Sequence, residues 1–309
     1  MRILVALDFT TRSHRGLRRA GLLAGPVRGN VMLMHVVDRL GDGQGAQDRR
    51  EAQRMILAQI AVVPELFRPT CAPIVMGGPA PEAILDVANV WEVDLLVVGS
   101  QSVLQGRASG RTVRSLIRES PCPVLVVRKA VEGPYARILA PVDLTRSCTQ
   151  ALRTAQSLGL VGEAEVTVLH AFEAHAKTKL SAIGVAGRHI DGYVENWRAW
   201  CARELDEVLD ANGLTGRIWA RLVEEGSPRE VISRTGMLAS SDLLLIGTHE
   251  RRGIGRILRG SVTEDLLFAP GPDLLVVPTS GPRSTRPARR SAQAAQRPGG
   301  RPMPWLAPI

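Results

Sequence analysis

Short unbroken apolar runs alternate along this chain with longer segments whose apolar positions recur every three or four residues. Residues 2–8 form the first run, closing on Asp8. Leu17, Ala20, Gly21 and Ala24 then fall at i, i+3, i+4 and i+7, one face of a helix that Thr10, Thr11 or Ser13 can cap. The same reading predicts strands over 31–37, 74–76, 94–98 and 124–128. It predicts helices over 49–63 and 112–119, and a third around the stripe Ala83, Ile84, Val87, Ala88 and Trp91. Glycine-bearing loops fall at Gly41–Gly45 and Gly99–Gly110. Apolar runs alternating with amphipathic helices mean βαβ units, right-handed crossovers and a parallel sheet, an α/β fold.

The order then recurs. Strands are predicted at 137–142, 165–170, 218–223, 242–246 and 273–278, and helices at about 147–158, 229–239 and 261–268, with a loop over 247–260. Arg2-Ile-Leu-Val-Ala-Leu-Asp8 matches Arg137-Ile-Leu-Ala-Pro-Val-Asp143 at an offset of 135, and Val31-Met-Leu-Met-His35 matches Val166-Thr-Val-Leu-His170 at the same offset. Asp94-Leu-Leu-Val-Val-Gly99 matches Asp242-Leu-Leu-Leu-Ile-Gly247 at 148, and Val124–Val127 matches Leu274–Val277 at 150. Matched order with a slowly growing offset implies two copies of one fold, packed as an internal pseudo-dimer. The expected divisions are a first repeat over 1–128, a linker over 129–135, a second repeat over 136–278 and a tail over 279–309.

The second repeat carries 13 extra residues in its middle. Trp197, Trp200, Cys201, Leu205, Val208 and Leu209 share one helical face there, read as core packing. The alternative is a helix that binds a partner or covers a ligand.

Composition changes this picture in three places. Aromatics are only 4% of the chain, so Leu, Val, Ile and Ala must build the core, which suits buried parallel strands under helices. Cys71, Cys122, Cys148 and Cys201 form no CxxC pair and no metal-ligand spacing, so they read as free thiols in a reducing compartment. No apolar run approaches the roughly 18 residues that span a bilayer, and the first strand begins at Arg2, so a cytoplasmic protein without membrane contact is expected. The net charge of +9 is local: the last 31 residues hold six arginines and no acid, which leaves +3 on residues 1–278. With its six prolines the tail is expected to be disordered and is read as a solvated extension, the alternative being a basic arm for nucleic acid or an acidic partner. A working nucleic-acid site also needs a folded basic face or stacking aromatics, and the tail offers only Trp305.

Parallel sheets bind ligands beyond the carboxyl ends of their strands. Asp8 and Asp143 stand there, able to accept from a ribose or a base amine, or to cap the next helix. The stretch Gly247-Thr-His-Glu-Arg-Arg-Gly253-Ile-Gly255-Arg-Ile-Leu-Arg-Gly260-Ser261-Val262 leaves a buried strand and ends with Gly-Ser at a helix start. Glycines let backbone N–H groups approach an anion, the helix N-terminus adds partial positive charge, and Arg251, Arg252, Arg256 and Arg259 add more. That is a phosphate cradle in outline. No Walker Gly-Lys-(Ser/Thr), nucleophile elbow or metal-ligand cluster accompanies it, so no enzyme is expected. His35 and His170 lie at equivalent strand ends and read as satisfying backbone groups, whereas His249 lies in the loop, within reach of a nucleotide.

Taken together, the Ile-Leu-Val-x-x-Asp opening, Leu-x-His, Asp-Leu-Leu-x-x-Gly, Gly-Ser-Val, Gly226-Ser-Pro228-Arg-Glu-Val-Ile232 and Pro121-Cys-Pro-Val-Leu-Val-Val127 make both repeats resemble universal stress proteins of the UspA type. The resemblance covers about residues 1–128 and 136–278. It implies a five-stranded parallel sheet in each repeat, dimerisation through the last strand, and, in members with Gly-x2-Gly-x9-Gly-(Ser/Thr), ATP binding. In the second repeat it implies nucleotide contacts from Asp143, Ala171, Gly247, Gly260, Ser261 and Val262, with ATP or another adenine nucleotide as ligand and Mg²⁺ as its companion. Glu250 replaces the second glycine, and a unit charge held 4 Å from a phosphate charge costs about 4 kcal/mol at an effective dielectric near 20. In the first repeat Asp8, Val36, Gly99 and Gly110 are weaker candidates, because Ser102 replaces the second glycine, only ten residues separate Gly99 from Gly110, and Arg111 replaces the closing Ser. The implied role is an adenine-nucleotide sensor or regulator in a stress response, acting on protein partners and open to homodimerisation. The alternative is a nucleotide-free scaffold or adaptor.

Overall fold

The computed structural model describes residues 1–37, 43–99, 107–144, 148–214, 219–234, 240–248 and 271–278. The first repeat runs β1 (Arg2–Leu7), α1 (Thr11–Ala24), β2 (Asn30–Val37), α2 (Gly43–Val62), β3 (Thr70–Gly77), α3 (Ala80–Val90), β4 (Leu95–Gly99), α4 (Arg107–Glu119) and β5 (Val124–Val127). The second runs β6 (Arg137–Val142), α5 (Cys148–Ser157), β7 (Glu165–Phe172), α6 (Lys177–Ala182), α7 (Gly187–Ala211), β8 (Ala220–Glu225), α8 (Pro228–Arg234), β9 (Leu243–Thr248) and β10 (Asp273–Pro278).

All ten strands form one sheet, ordered β3-β2-β1-β4-β5-β10-β9-β6-β7-β8. Pairing is parallel within each repeat and antiparallel where the two meet, at β5 and β10. There Leu125 pairs with Leu275, its own counterpart in the other repeat, flanked by Val124↔Val276 and Val126↔Leu274. Like facing like is the mark of an isologous interface, so the expected pseudo-dimer is present. Both faces of the sheet are covered, which is why the strands are apolar throughout rather than alternating. One core collects Ile3, Val5 and Leu33 under Leu17, Ile56, Leu152 and Leu205; the other collects Leu4, Met32 and Leu96 under Ile84, Leu116 and Val231.

The repeated Asp-Leu-Leu motif has a structural explanation. Asp94 accepts from the backbone N–H of Arg2 at 2.7 Å, and Asp242 accepts from those of Ala136 and Arg137 at 3.1 and 2.9 Å. Each carboxylate closes the start of the neighbouring strand.

Several boundaries differ from the sequence expectation. β3 runs the length of β2 rather than three residues, and it tolerates Pro73 because it is an edge strand. β8 starts two residues later than expected, and α2 and α4 begin at Gly43 and Arg107 rather than at 49 and 112, so Gly43 and Gly110 are helical rather than in loops. The expected core role of Trp197 and Trp200 is corrected: they are 39% and 43% exposed. The sheet covers Val194, Cys201, Leu205 and Leu209, and the indoles lie beside that stripe, stacked edge to face at 5.3 Å. The helix expected at 261–268, the 249–260 stretch and the tail lie outside the described residues.

Candidate functional site

Strand register brings the expected contact residues to one edge. In the second repeat Val142 pairs with His170, and Leu139 of β6 pairs with Leu244 of β9, the strand that ends in Gly247 and Thr248. Asp143 and Ala171 follow one position beyond, on neighbouring strands about 4.8 Å apart. The first repeat does the same: Leu7 pairs with His35, and the Ala6↔Val98 rung carries on to Gly99, with Asp8 and Val36 one step beyond. Asp8 and Asp143 are exposed, while Val36 and Ala171 are half-buried against the core. A carboxylate, an apolar patch and a position without Cβ thus meet at each carboxyl edge, a set that can hold a ribose and a base. His249, Gly260, Ser261 and Val262, which would hold the phosphates, lie outside the described residues, as does Glu250.

The two histidines act as expected. His35 Nδ1 lies 2.8 Å from the Leu7 carbonyl and His170 Nδ1 lies 2.9 Å from that of Val142. A carbonyl only accepts, so Nδ1 carries the proton in both rings. Each histidine ties the end of one strand to the next.

The residues after the two aspartates were not foreseen. Phe9 has φ 58° and Leu144 has φ 60°, left-handed conformations for side chains that disfavour them. Strain at the same place in both repeats turns the chain sharply off the strand end. Phe9 uses the turn to lay its ring 4.5 Å from that of His35.

Asp8 is largely committed to this turn. Its Oδ1 accepts from the Thr10 N–H at 3.0 Å and the Thr10 hydroxyl at 2.6 Å. Partial burial pushes the Asp8 pKa upward, but hydrogen bonds from Thr10 and Ser13 outweigh it and leave the carboxyl below its usual value of 3.8. Thr10 sits at the N-cap of α1 without capping it, because its hydroxyl is turned to Asp8. Gly99 also has a packing explanation: a Cβ there would lie 2.6 Å from the backbone of Arg12 in α1. Gly110, expected where the loop meets the helix, is instead the fourth residue of α4. Its backbone is therefore not free to line a loop.

The sequence reading missed a fully buried polar cluster. Asp273 is fully buried at the start of β10, where the first repeat has Pro123. Its Oδ1 accepts from the N–H groups of Arg128 and Lys129 at 2.7 and 3.0 Å, and its Oδ2 accepts from the Tyr135 hydroxyl at 2.8 Å. Arg19 stacks on the Tyr135 ring at 3.9 Å and places Nε 3.7 Å from Asp273. The linker is thus held at both ends by one carboxylate. Burial raises the Tyr135 pKa well above 10.0, with the Asp273 charge adding to it, and lowers that of Arg128 to about 10 against the pull of Asp273.

The described thiols are unreactive by environment: burial raises the pKa of Cys71 to about 11 and raises those of Cys122 and Cys201. Among the described residues no group of His, Cys, Asp and Glu could hold a metal ion, and no helix is long and apolar enough to cross a membrane.

Comparison with known proteins agrees with this fold. The chain matches the universal stress protein family over residues 1–128 and again over 134–278. Among solved structures it resembles a universal stress protein from Archaeoglobus fulgidus DSM 4304, with a TM-score of 0.65 at 15% identity over 90% of this chain and 98% of that one. It also resembles a functionally unknown protein from Pseudomonas aeruginosa PAO1, with a TM-score of 0.59 at 20% identity over 90% of this chain and 92% of that one. No curated protein matches the chain. Two family matches in sequence, one for each half of a ten-stranded sheet, show that the chain belongs to the universal stress protein family as a tandem, two-repeat member.

Proposed function

We propose that the second repeat binds an adenine nucleotide (ATP, ADP or AMP, with or without Mg²⁺) and that its bound state regulates contacts with protein partners in a stress response. The carrying observation is the convergence of Asp143, Ala171 and Gly247 at one carboxyl edge, directly before the stretch that ends in Gly260-Ser261. Asp143 would accept from the ribose or the base amine, Ala171 would pack on the base, and the glycines with Ser261 and Val262 would receive the phosphates. His249 would contact the nucleotide from the same stretch. Any ATP hydrolysis would be slow and incidental, since the sequence carries no Walker Gly-Lys-(Ser/Thr) and no nucleophile elbow. The first repeat binds nucleotide weakly or not at all in this reading. Ser102 stands where the second glycine would be and Arg111 where the closing Ser would be.

Thermal denaturation of the full chain tests this, with ATP, ADP, AMP and Mg²⁺ varied separately. Ligand at about 100 times its Kd stabilises by roughly 2.7 kcal/mol, and the shift should vanish in Gly260→Glu with the fold intact. A scaffold without nucleotide is the second reading, favoured by Glu250 and by the exposed Trp197–Trp200 pair on α7, which Tyr193 meets edge-on from its half-buried position. It predicts no shift with any nucleotide on nucleotide-free protein.

A further inference from the structure

Helix α4 carries arginines at 107, 111, 114 and 118. At 100° per residue these four positions fall within about 60° of one another. The buried residues Val113, Leu116 and Ile117 point the other way, into the core beneath β4 and β5. Arg111, Arg114 and Arg118 are exposed. With Pro81, Thr112 and Ser115 they line a shallow depression of about 510 Å³. Like charges at these spacings weaken a helix rather than support it. Glu119 offsets part of this, accepting from Arg118 and Ser115. Glu82 and Asp86 are exposed on the neighbouring α3, where they lower the net positive charge beside the stripe.

The second repeat has no such stripe. At the offset of 150 that matches Gly110 with Gly260, the counterparts of Arg111, Arg114 and Arg118 are Ser261, Glu264 and Phe268. The repeats differ overall in the same sense: residues 1–128 hold 16 basic and 11 acidic residues, and residues 129–278 hold 17 and 19. The chain uses arginine for 36 of its 39 cations, so the choice of arginine over lysine carries nothing. Placement carries the argument.

The geometry points to α4 as a docking face for the phosphodiester backbone of a nucleic acid, bound without regard to sequence. Adjacent arginines on such a stripe are about 5–6 Å apart, a linear array of point contacts. Arg with Ser and Thr is the usual set that contacts phosphate oxygens. Interfaces with proteins and with membranes add apolar anchors, and the described exposed face of α4 offers none. The first repeat would then bind a polyanion on the outer face of α4, while the second binds the nucleotide at its strand edge.

The test is binding of the full chain to a fluorescent 20-nucleotide DNA, single-stranded and duplex, as salt is raised. It is repeated with the triple variant Arg111→Ala, Arg114→Ala, Arg118→Ala. All three positions face solvent on a helix, so the variant should fold, which circular dichroism checks. The expected result is a loss of tenfold or more in affinity at 50 mM salt. The slope of log K against log salt should also shrink by about 2–3, near one per lost phosphate contact. A chain in which the six tail arginines are alanine should keep that difference. An unchanged slope in the triple variant overturns the proposal, whether the DNA binds through the tail or not at all. So does competition by polyglutamate or by anionic vesicles as effective as that by unlabelled DNA.

Discussion

The Tyr135 hydroxyl, at the end of the linker, donates a 2.8 Å hydrogen bond to Asp273 Oδ2, at the start of the last strand, 138 residues away. The same carboxylate takes the N–H groups of Arg128, the last residue of the first repeat, and Lys129, the first of the linker, and Arg19 of the first repeat closes the cluster. Both repeats and the linker therefore depend on one buried negative charge. Asp273→Ala should destabilise the chain by about 3–5 kcal/mol in urea unfolding, because it strands Arg19 as a buried cation. Tyr135→Phe removes one donor and should cost about 1–3 kcal/mol.

Tyr135 also predicts a pH dependence. Its folded-state pKa lies well above the usual 10.0, through burial first and the Asp273 charge second. A raised pKa contributes stability that is complete below the unfolded value and is lost as pH rises past it. The stability advantage of the parent chain over Tyr135→Phe should hold steady from pH 7 to 9 and shrink above pH 10, by at most about 1.4 kcal/mol per unit. Denaturant midpoints of the two proteins across that range check it.

Asp8 gives the opposite dependence. Burial alone would raise its pKa, but the hydrogen bonds from Thr10 and Ser13 win and lower it from 3.8. Its contribution is present above the unfolded value and is lost as pH falls through the folded one. In Thr10→Val, an NMR titration should show the Asp8 carboxyl moving upward.

Gly99→Ala separates packing from ligand binding. The new Cβ would press on the Arg12 backbone at 2.6 Å, so a destabilisation of about 1–3 kcal/mol is expected without any nucleotide present. Unchanged thermal stability would mean that α1 has room to move.

The left-handed turns predict an effect of side-chain shape. Phe9→Ile should destabilise more than Phe9→Leu, by about 1 kcal/mol or more, because a β-branched residue resists φ near 58°. Equal urea midpoints for the two variants would contradict the strain at this position.

The repeats were plain in the sequence because each unit writes the same periodicities in the same order, and the pairing of Leu125 with Leu275 follows from that symmetry. The roles of His35 and His170 were legible as well, since equivalent strand ends imply equivalent backbone duties. Asp273 was not. It breaks the repeat, standing where the first copy has Pro123, and its partners come from distant segments that no local pattern connects. The positions of Trp197 and Trp200 were misread because a helical stripe records which residues are apolar, not how much of the helix the sheet reaches. Gly99 and Gly110 looked alike as motif glycines. One is fixed by its contact with Arg12 and the other lies within a helix, a difference carried by tertiary packing alone.

The central claim is that a nucleotide is held by the second repeat, and calorimetric titration of ATP into the full chain tests it most directly, beside Asp143→Ala and Asp8→Ala. The account predicts one site per chain, strongly weakened by Asp143→Ala and unaffected by Asp8→Ala. Absence of binding, or binding lost in Asp8→Ala and kept in Asp143→Ala, would contradict it.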